Sequence, residues 1–515
     1  MRQFVFGITL ALGICQAASW AQICPTRPIP GSTVVDPFAV QSQDGVAHLD
    51  LAISNYKDLH TRDMFYCLAY APGIEAPTIR VNPGDTISLN LSNRIRSVPT
   101  EPLMHVPVTP GDPACHGTMT ASSTNLHFHG LNVPPKCHQD EVIFTLINPG
   151  DPPFHYRTTI PRNEPPGLYW YHPHPHGMTQ VQVMGGASGA IIVEGMEKIK
   201  PEVTGLTERV FIFRDVINNG DADEGTMTLN FIPVNPPHLP LPAIELNAGE
   251  KQFWRVLNAQ GESFLKLQLQ YDNQPQTVQV VALDGTPLPS DIRTNTVLIP
   301  PAGRAEFIMQ GPASSNVNAA LVTLAVNTGA DGDPNPAHAI AAIFVDQAAS
   351  PGRIPPRIER EKVKRFAGLA DVTPLAHRKL YFSEDLSDPD DPKFFITVDG
   401  QTPKQFDPND PPAIVTKQGA VEDWTIENRS KEIHAFHMHQ IHFLLLARNG
   451  RPPQHREVMD TVTVPPWSGS GPYPNVKVRM DFRWPESVGT FVYHCHILDH
   501  EDGGMMAKIE VDPAK

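Results

Sequence analysis

The histidines of this chain are strongly clustered. The sequence holds 22 histidines, and ten of them fall in four short segments. These segments are His127-Phe128-His129, His172-Pro173-His174, His434-Ala435-Phe436-His437-Met438-His439, and His494-Cys495-His496 with His500. In an extended strand, residues i and i+2 point to the same side, so each His-x-His pair can offer two imidazoles together, as a metal requires. One such pair is weak evidence, because many histidines are ordinary surface or core residues, but four pairs indicate a metal centre.

The last of these segments has the most specific pattern. Cys495 points away from its neighbours His494 and His496, so its thiolate can bind one metal while the two imidazoles bind others. His500 and then Met505 follow within the next ten residues. Two imidazoles, one thiolate and a distant thioether are the ligands of a blue-copper electron-transfer site. The segment therefore predicts such a site.

The second imidazole of that site must come from another segment. We expect it to be His434, the spare member of its own cluster. Zinc is the alternative metal for a cysteine and histidine site, but zinc sites usually gather closely spaced cysteines. Here only one thiolate is available, so copper is favoured.

A repeated turn-and-strand unit runs through the chain that carries these clusters. Three segments share a glycine turn, apolar residues five and seven positions later, and an asparagine nine positions later. They are Gly84 with Leu89, Leu91 and Asn93; Gly249 with Trp254, Val256 and Asn258; and Gly419 with Trp424, Ile426 and Asn428. This pattern predicts a turn that leads into a strand with one buried face. Coincidence is the alternative in a chain rich in Gly and Pro, but the nearly equal spacing favours three similar domains.

The length and composition agree with three β-domains. The chain has 515 residues, enough for about three domains, and its 54 prolines outnumber its 36 glycines. Proline disfavours long helices and favours short strands joined by turns. We predict an all-β fold of β-sandwiches with Greek-key connections. The first domain should span 22–198, the second 199–350 and the third 369–515, with a linker over 351–368.

The charge and the first residues bear on where the protein acts. With 40 Lys+Arg against 55 Asp+Glu the formal charge is −15, which excludes a generic basic nucleic-acid binder. Residues 1–21 have the pattern of a secretory signal peptide, with an apolar run over 4–14 and cleavage expected after Ala21. No stretch has enough consecutive apolar residues to predict a membrane span. We therefore expect an exported protein, periplasmic or secreted.

The cysteines of the mature chain are odd in number, and Cys495 is already assigned to the metal. The other four are Cys24, Cys67, Cys115 and Cys137. An exported protein meets an oxidising environment, so these four are expected to form two disulfides, which three pairings would satisfy. We favour Cys115 with Cys137, which would close the loop that contains His127.

Essentially the whole mature chain resembles the three-domain multicopper oxidases of the bacterial laccase and copper-efflux oxidase type. Four motifs carry this resemblance: His127-Phe128-His129-Gly130, Trp170-Tyr171-His172-Pro173-His174-Pro175-His176-Gly177, His434-Ala435-Phe436-His437-Met438-His439, and His494-Cys495-His496-Ile497-Leu498-Asp499-His500-Glu501-Asp502-Gly503-Gly504-Met505-Met506. The resemblance implies three cupredoxin domains, with a trinuclear copper cluster between the first and the third.

The resemblance also implies four copper ions and their ligands. Type 1 copper would be held by His434, Cys495, His500 and axial Met505; type 2 copper by His127 and His437; and the type 3 pair by His129, His172, His174, His439, His494 and His496. Ala435 stands where the family usually has Pro, and Gln440 where it usually has Gly. Neither is a ligand, so these departures affect only the expected loop shape and potential. His176 and His442 lie outside the ligand pattern and are interpreted as supporting or structural residues.

The activity implied is that of a copper-dependent, laccase-like oxidoreductase. Four one-electron oxidations at type 1 copper would be coupled, through Cys495 and its two neighbours, to reduction of O2 to two waters at the cluster. That reaction consumes four protons, so carboxylates are expected to relay them. Glu501, directly after His500, and Asp140, after the first motif, are the candidates. The alternative for both is an ordinary solvated surface acid.

Three functions remain open at this point. The first is oxidation of phenols and aromatic amines by a monomer. The second is a periplasmic oxidase of cuprous or other metal ions for copper tolerance; such enzymes often carry a Met-rich insertion, because thioethers select Cu(I). No Met-rich segment appears between 350 and 420, which favours phenols. The third is a non-enzymatic binding module, which would be expected to have lost ligands that this chain retains.

Overall fold

The computed structural model describes residues 24–57, 64–96, 102–104, 115–217, 225–346, 360–389 and 391–514. The predicted signal peptide and residues 351–359 of the predicted linker lie outside the described residues. Within this part of the chain the structure consists mainly of strands, and no helix there is both long and apolar enough to cross a bilayer. The all-β prediction is confirmed.

The first domain is a sandwich of two sheets. Its strands are β1 (Ala39–Gln41), β2 (Val46–Lys57), β3 (Met64–Ala71), β4 (Ile74–Glu75), β5 (Thr78–Val81), β6 (Thr86–Arg94), β7 (Pro102–Met104), β8 (Met119–Thr120), β9 (Phe154–Thr159), β10 (Gly167–Tyr171) and β11 (Gly189–Val193). One sheet has the order β4-β3-β2-β6-β9 and the other β1-β5-β11-β10, while β7 and β8 form a separate pair. Strand β9 alternates buried and exposed residues, as a strand with one face on the core should.

The second domain contains the seven-stranded sheet and has a hydrophobic core of its own. Its strands are β12 (Thr207–Ile217), β13 (Gly225–Leu229), β14 (Ile232–Pro233), β15 (Ala243–Asn247), β16 (Lys251–Asn258), β17 (Leu265–Tyr271), β18 (Gln274–Pro275), β19 (Val278–Leu283), β20 (Thr286–Thr294), β21 (Val297–Ile299), β22 (Arg304–Gln310), β23 (Ala319–Thr323) and β24 (His338–Asp346). The sheets run β14-β13-β12-β16-β22-β19-β20 and β15-β24-β23-β17-β18, with β21 paired to β17.

The third domain repeats the arrangement. Its strands are β25 (Ala376–Asp385), β26 (Lys393–Val398), β27 (Ile414–Lys417), β28 (Val421–Asn428), β29 (His434–Met438), β30 (Phe443–Arg448), β31 (Val458–Met459), β32 (Thr461–Val464), β33 (Asn475–Asp481), β34 (Gly489–Cys495) and β35 (Met506–Asp512). The sheets run β26-β25-β28-β33-β30-β31 and β27-β35-β34-β29-β32. The described helices are short: α1 (Thr179–Met184), α2 (Met196–Ile199) and α3 (Leu498–Asp502), with 3-10 turns at Pro201–Val203, Leu369–Asp371 and Pro485–Ser487.

The three glycine turns of the sequence repeat occupy equivalent places. Gly84, Gly249 and Gly419 all have positive φ, at 97°, 66° and 93°, which glycine adopts without steric cost. The strand that follows each turn pairs in parallel with an earlier strand: β6 with β2, β16 with β12, and β28 with β25. The apolar residues of the repeat are buried in all three domains. The predicted repeat is therefore confirmed.

The asparagine of each repeat has the same hydrogen bonds. Asn93, Asn258 and Asn428 are buried at the ends of β6, β16 and β28. Each Oδ1 accepts the backbone N–H two residues later. Each Nδ2 donates to two backbone carbonyls further along the chain, which belong to Ser122 and Ile147, Ser263 and Ile299, and Glu432 and Pro465. The side chain thus fixes the connection that leaves each strand.

Two disulfides lie in the first domain. Cys115 is bonded to Cys137, as predicted, and Cys24 is bonded to Cys67. Among the described cysteines only Cys495 is free, and it is buried. The prediction that Cys495 stays outside the two disulfides is confirmed.

Candidate metal centre

The four histidine segments lie as two side-by-side pairs. In the first domain, His127 and His172 form an antiparallel bridge, with both backbone N–H groups donating to the opposite carbonyl. In the third domain, β29 and β34 are antiparallel neighbours, and His437 lies opposite His494. Each domain therefore places two His-x-His segments next to each other, which brings their imidazoles to one side.

The two pairs face each other across the interface between the first and third domains. The rings of His127 and His439 stack with centroids 3.8 Å apart, and those of His129 and His437 stack at 3.9 Å. We call the eight residues that meet here the histidine cluster: His127, His129, His172, His174, His437, His439, His494 and His496. All eight are buried.

The histidine cluster presents bare ring nitrogens to its interior. Among the described residues, buried ring nitrogens without a hydrogen-bond partner include Nε2 of His127, His172 and His437, Nδ1 of His129 and His439, and both nitrogens of His496. Burial, together with the neighbouring imidazoles, holds the pKa of His127, His439 and His496 well below the usual value for histidine. These three rings are therefore neutral, the form in which imidazole binds metals.

The spacing of these nitrogens suits metal ions. The possible ligand atoms of His174, His439 and His494 all lie within 4.8 Å of one another, and so do those of His127, His437 and His439. Unpaired buried polar atoms are destabilising, so a group of them indicates that something else satisfies them. Imidazole donors of this kind fit copper.

A second ligand group lies on the other side of β34. The Sγ atom of Cys495 is 3.5 Å from Nδ1 of His434 and 3.9 Å from Nδ1 of His500. Met505 is fully buried in the same core, and its backbone carbonyl accepts the N–H of Cys495. The opposite orientation of Cys495 and its two neighbours, predicted from strand geometry, is confirmed.

We call His434, Cys495, His500 and Met505 the sulfur group. The charges within this group are set by neighbouring side chains. Burial alone would raise the pKa of the Cys495 thiol, but His434 and His500 outweigh it and lower that pKa to about 6. Burial would likewise lower the pKa of His434, but the thiolate and Glu384 raise it to about 9. In the metal-free protein the thiolate is therefore stabilised by imidazolium.

Both candidate relay acids are buried beside the histidine cluster, so the surface-acid alternative is wrong. Asp140 lies 3.0 Å from Nδ1 of His127, and burial raises its pKa well above the usual carboxyl value. Glu501 lies 3.1 Å from Nδ1 of His494 and 3.4 Å from Nε2 of His174. Burial would raise its pKa, but these two imidazoles hold it well below the usual range.

The departures noted in the sequence have structural consequences. Gln440 adopts a φ of 56°, a conformation that glycine adopts more easily. Its Nε2 donates to Asp140, so this residue joins the third domain to the candidate relay acid of the first. His442 hydrogen-bonds the backbone carbonyl of Asp284 at 2.8 Å, and His176 lies against Phe406. Neither His442 nor His176 belongs to the histidine cluster.

Sequence reasoning missed several charged residues around the site. Asp460 is fully buried, with Oδ1 3.2 Å from Nε2 of His129 and 3.5 Å from Nδ1 of His437. Its partner Arg304 comes from the second domain. The sequence does contain a signal for Asp460: it lies within the largely apolar segment Val458-Met459-Asp460-Thr461-Val462. An acid in such a segment indicates a buried, paired carboxylate, because buried acids are rare unless paired.

Two further carboxylates contact the sulfur group. Glu384 lies 3.2 Å from Nε2 of His434, and Glu432 lies 3.4 Å from Nε2 of His500. Both nitrogens point away from Cys495, whose sulfur is nearest the Nδ1 atoms. Carboxylates in such positions orient imidazole ligands and increase their basicity.

Known proteins are similar to this chain in sequence and in fold. Two multicopper oxidase family models match residues 118–198 and 381–515. A multicopper oxidase from Staphylococcus haemolyticus is 25% identical over 464 residues, covering 86% of this chain and 83% of the relative. A laccase from Bacillus subtilis is 26% identical over 403 residues, covering 70% and 73%. A solved multicopper oxidase from Campylobacter jejuni, described as a metallo-oxidase, has a TM-score of 0.70 at 22% identity and covers 94% and 96%.

The fold and the two ligand groups, with these matches, define a copper-dependent oxidoreductase built from cupredoxin-like domains. The chain is a three-domain multicopper oxidase of the bacterial type.

The lowered pKa of Cys495 predicts how the copper-free protein responds to pH. Because the folded-state pKa of Cys495 is lowered from the ordinary thiol value of ~8.5, the thiolate stabilises the fold above that value. This contribution is lost as the pH falls through about 6. We expect the thiolate absorbance, taken as wild type minus Cys495→Ser, to titrate near pH 6. His434→Gln should move the midpoint upward. A wild-type midpoint at the ordinary thiol value would contradict the charge pairing.

Proposed function

We propose that the chain is a laccase-like oxidase that couples four one-electron oxidations of a reductant to the reduction of O2 to two waters. The observation that carries this proposal is the placement of two ligand groups on opposite faces of one segment, His494-Cys495-His496. A single-site electron carrier would not need the histidine cluster. A module that only binds would not need the thiolate.

The proposed ligands follow the motifs and fit the observed groups. His434, Cys495, His500 and Met505 would hold type 1 copper; His127 and His437 type 2 copper; and His129, His172, His174, His439, His494 and His496 the type 3 pair. Copper bound at these places would supply one-electron redox chemistry and the site of O2 reduction. The peptide bonds of Cys495 join the two ligand groups, which gives the shortest covalent connection between them.

The chain's own carboxylates would handle the protons. Asp140 belongs to the first domain and Glu501 to the third, and each contacts an imidazole of the histidine cluster through a carboxylate oxygen. A buried carboxyl within hydrogen-bond distance can hold a proton and pass it on. Both positions are closed to bulk solvent, so protons must arrive along defined groups.

The reductant would be oxidised beside the sulfur group. A cavity of about 220 Å³ lies next to this group and is lined by Asp215, Glu262, Asp333 and Glu432. Burial and the nearby acids raise the pKa of Glu262 to about 9, so this carboxyl is protonated at neutral pH. A phenol could lose its hydroxyl proton to Glu432, which lines the cavity and contacts His500. The leading reductants therefore remain phenols and aromatic amines.

The same carboxylates favour a second candidate function, oxidation of a metal cation such as Cu(I). Negative charge beside Glu432 would concentrate cations at the ligand His500. Both classes occur among the proteins compared, as the laccase from B. subtilis and the metallo-oxidase from C. jejuni. Export to the periplasm or the medium, which the disulfides favour, would bring either reductant into reach of a monomeric enzyme.

The test of the function is O2 uptake by the copper-loaded protein. We expect uptake with a methoxyphenol in the absence of added copper, with loss of both uptake and blue colour in Cys495→Ser. Faster turnover of Cu(I) held by a weak chelator would instead establish the metal-ion oxidase. Absence of uptake with both reductants, while the blue colour is present, would refute both functions.

A second test separates the two reductants by charge. Asp333 is exposed at the cavity, whereas Asp331 is also exposed in the same loop but lies outside the cavity lining. If cations are the substrate, Asp333→Asn should raise the KM for Cu(I) by ~5-fold, equivalent to ~1 kcal/mol for one lost charge interaction in a solvated setting. Asp331→Asn should leave that KM unchanged. Equal effects of the two variants would contradict a cation site in this cavity.

The proposed role of Glu501 predicts a kinetic defect without copper loss. Glu501→Gln keeps the shape of the side chain but cannot exchange protons in the same way, so O2 uptake at saturating reductant should fall by ~10²–10⁴-fold. Copper content should remain that of the wild type. Glu510→Gln, on half-buried Glu510 of β35, is the matched control and should retain activity. A fully copper-loaded Glu501→Gln protein with the wild-type rate would remove Glu501 from the relay.

A further inference from the structure

The second domain contributes no histidine to the cluster, yet one of its side chains reaches the cluster's edge. Arg304, the first residue of β22, has a fully buried side chain. Its Nη1 donates to Oδ1 of Asp460 at 2.8 Å and its Nη2 donates to Oδ2. This two-pronged pairing of arginine with carboxylate has a defined geometry that a lysine cannot reproduce.

Asp460 in turn contacts two members of the histidine cluster. Its Oδ1 lies near Nε2 of His129 and Nδ1 of His437, and the backbone carbonyl of Asp460 lies 3.0 Å from the same Nδ1. The other nitrogen of each ring, Nδ1 of His129 and Nε2 of His437, is among the buried atoms without a partner. The carboxylate therefore engages the outer nitrogens and leaves the inner ones for a metal.

Local packing makes room for this arrangement. Gly130 follows His129 with a φ of 84°, and a Cβ atom placed there would lie 2.4 Å from Nη2 of Arg304 and 2.7 Å from Oδ2 of Asp460. Leu168 and Ala302 accept further hydrogen bonds from the guanidinium. The guanidinium is thus held by the backbone on one side and by the carboxylate on the other.

We propose that Arg304 is a positioning residue for the copper cluster, which acts by holding Asp460 against the outer nitrogens of His129 and His437. This inference rests on the proposed ligand roles of those histidines. It gives the second domain a part in the chemistry, because residues from all three domains meet at one carboxylate. Removal of Arg304 would leave a buried unpaired carboxylate, which would turn toward other donors and release the rings.

The test compares copper content and spectra of Arg304→Lys with those of Arg255→Lys. Arg255 also lies in the second domain, is buried, and pairs with Glu306 and Glu208 without contacting a histidine. Arg304→Lys should keep the blue absorption of the sulfur group but bind copper ~10–100-fold more weakly at the cluster, with an altered type 2 electron paramagnetic resonance signal. Arg255→Lys should keep all the copper and the wild-type spectra.

The result that would overturn the inference is full copper and wild-type spectra in Arg304→Lys. If Arg304→Lys does not fold, Asp460→Asn decides in its place: selective loss of cluster copper supports the inference, and full copper with unchanged spectra overturns it. Wild-type protein that binds no copper beyond the blue site would instead refute the proposed function. The two failures are therefore distinguishable.

Discussion

The burial of many neutral imidazoles between two domains is the constraint on which this structure depends. A buried polar atom without a partner destabilises a protein by about 1–3 kcal/mol, and the histidine cluster holds several such atoms. The fold must keep these rings together, since several of their ring nitrogens have no hydrogen-bond partner. It does so from outside: Asp140, Asp460 and Glu501 each contact an outer ring nitrogen. The carboxylates orient the rings that they contact, and the other ring nitrogen of His127, His129 and His437 remains without a partner.

The same acids join the domains, so the site and the interface are one structure. Gln440 of the third domain donates to Asp140 of the first, and Arg304 of the second holds Asp460 of the third. Next to Glu501, Asp502 accepts the backbone N–H groups of Gly177, Thr179 and Gln180 at the start of α1. Further from the cluster, buried Arg365 contacts both Asn163 and Glu486. The contacts near the cluster that join the domains therefore also position the acids that touch its histidines.

Local sequence patterns predicted much of this molecule, but they could not predict the contacts between domains. The His-x-His pairs, the opposite orientation of Cys495 and the repeated glycine turns follow from strand geometry over a few residues, and the structure has all of them. The Cys115–Cys137 bond could be favoured because it closes one short loop. Arg304 and Asp460 are 156 positions apart and belong to different domains, so no local period connects them. Gln440 looked like a neutral departure from the family because its partner, Asp140, lies 300 residues away.

The repeated asparagine has a consequence for how such domains can be modified. The amide of Asn93 reaches a carbonyl 29 residues later, whereas those of Asn258 and Asn428 reach carbonyls only five and four residues later. The same anchor therefore serves connections of very different length, and the closure entropy of a longer connection grows only slowly. In the third domain the short connection ends at Glu432, beside His500. A longer segment between Asn428 and Glu432 could keep the same amide anchor, as the long connection of the first domain does, and would add chain beside His500.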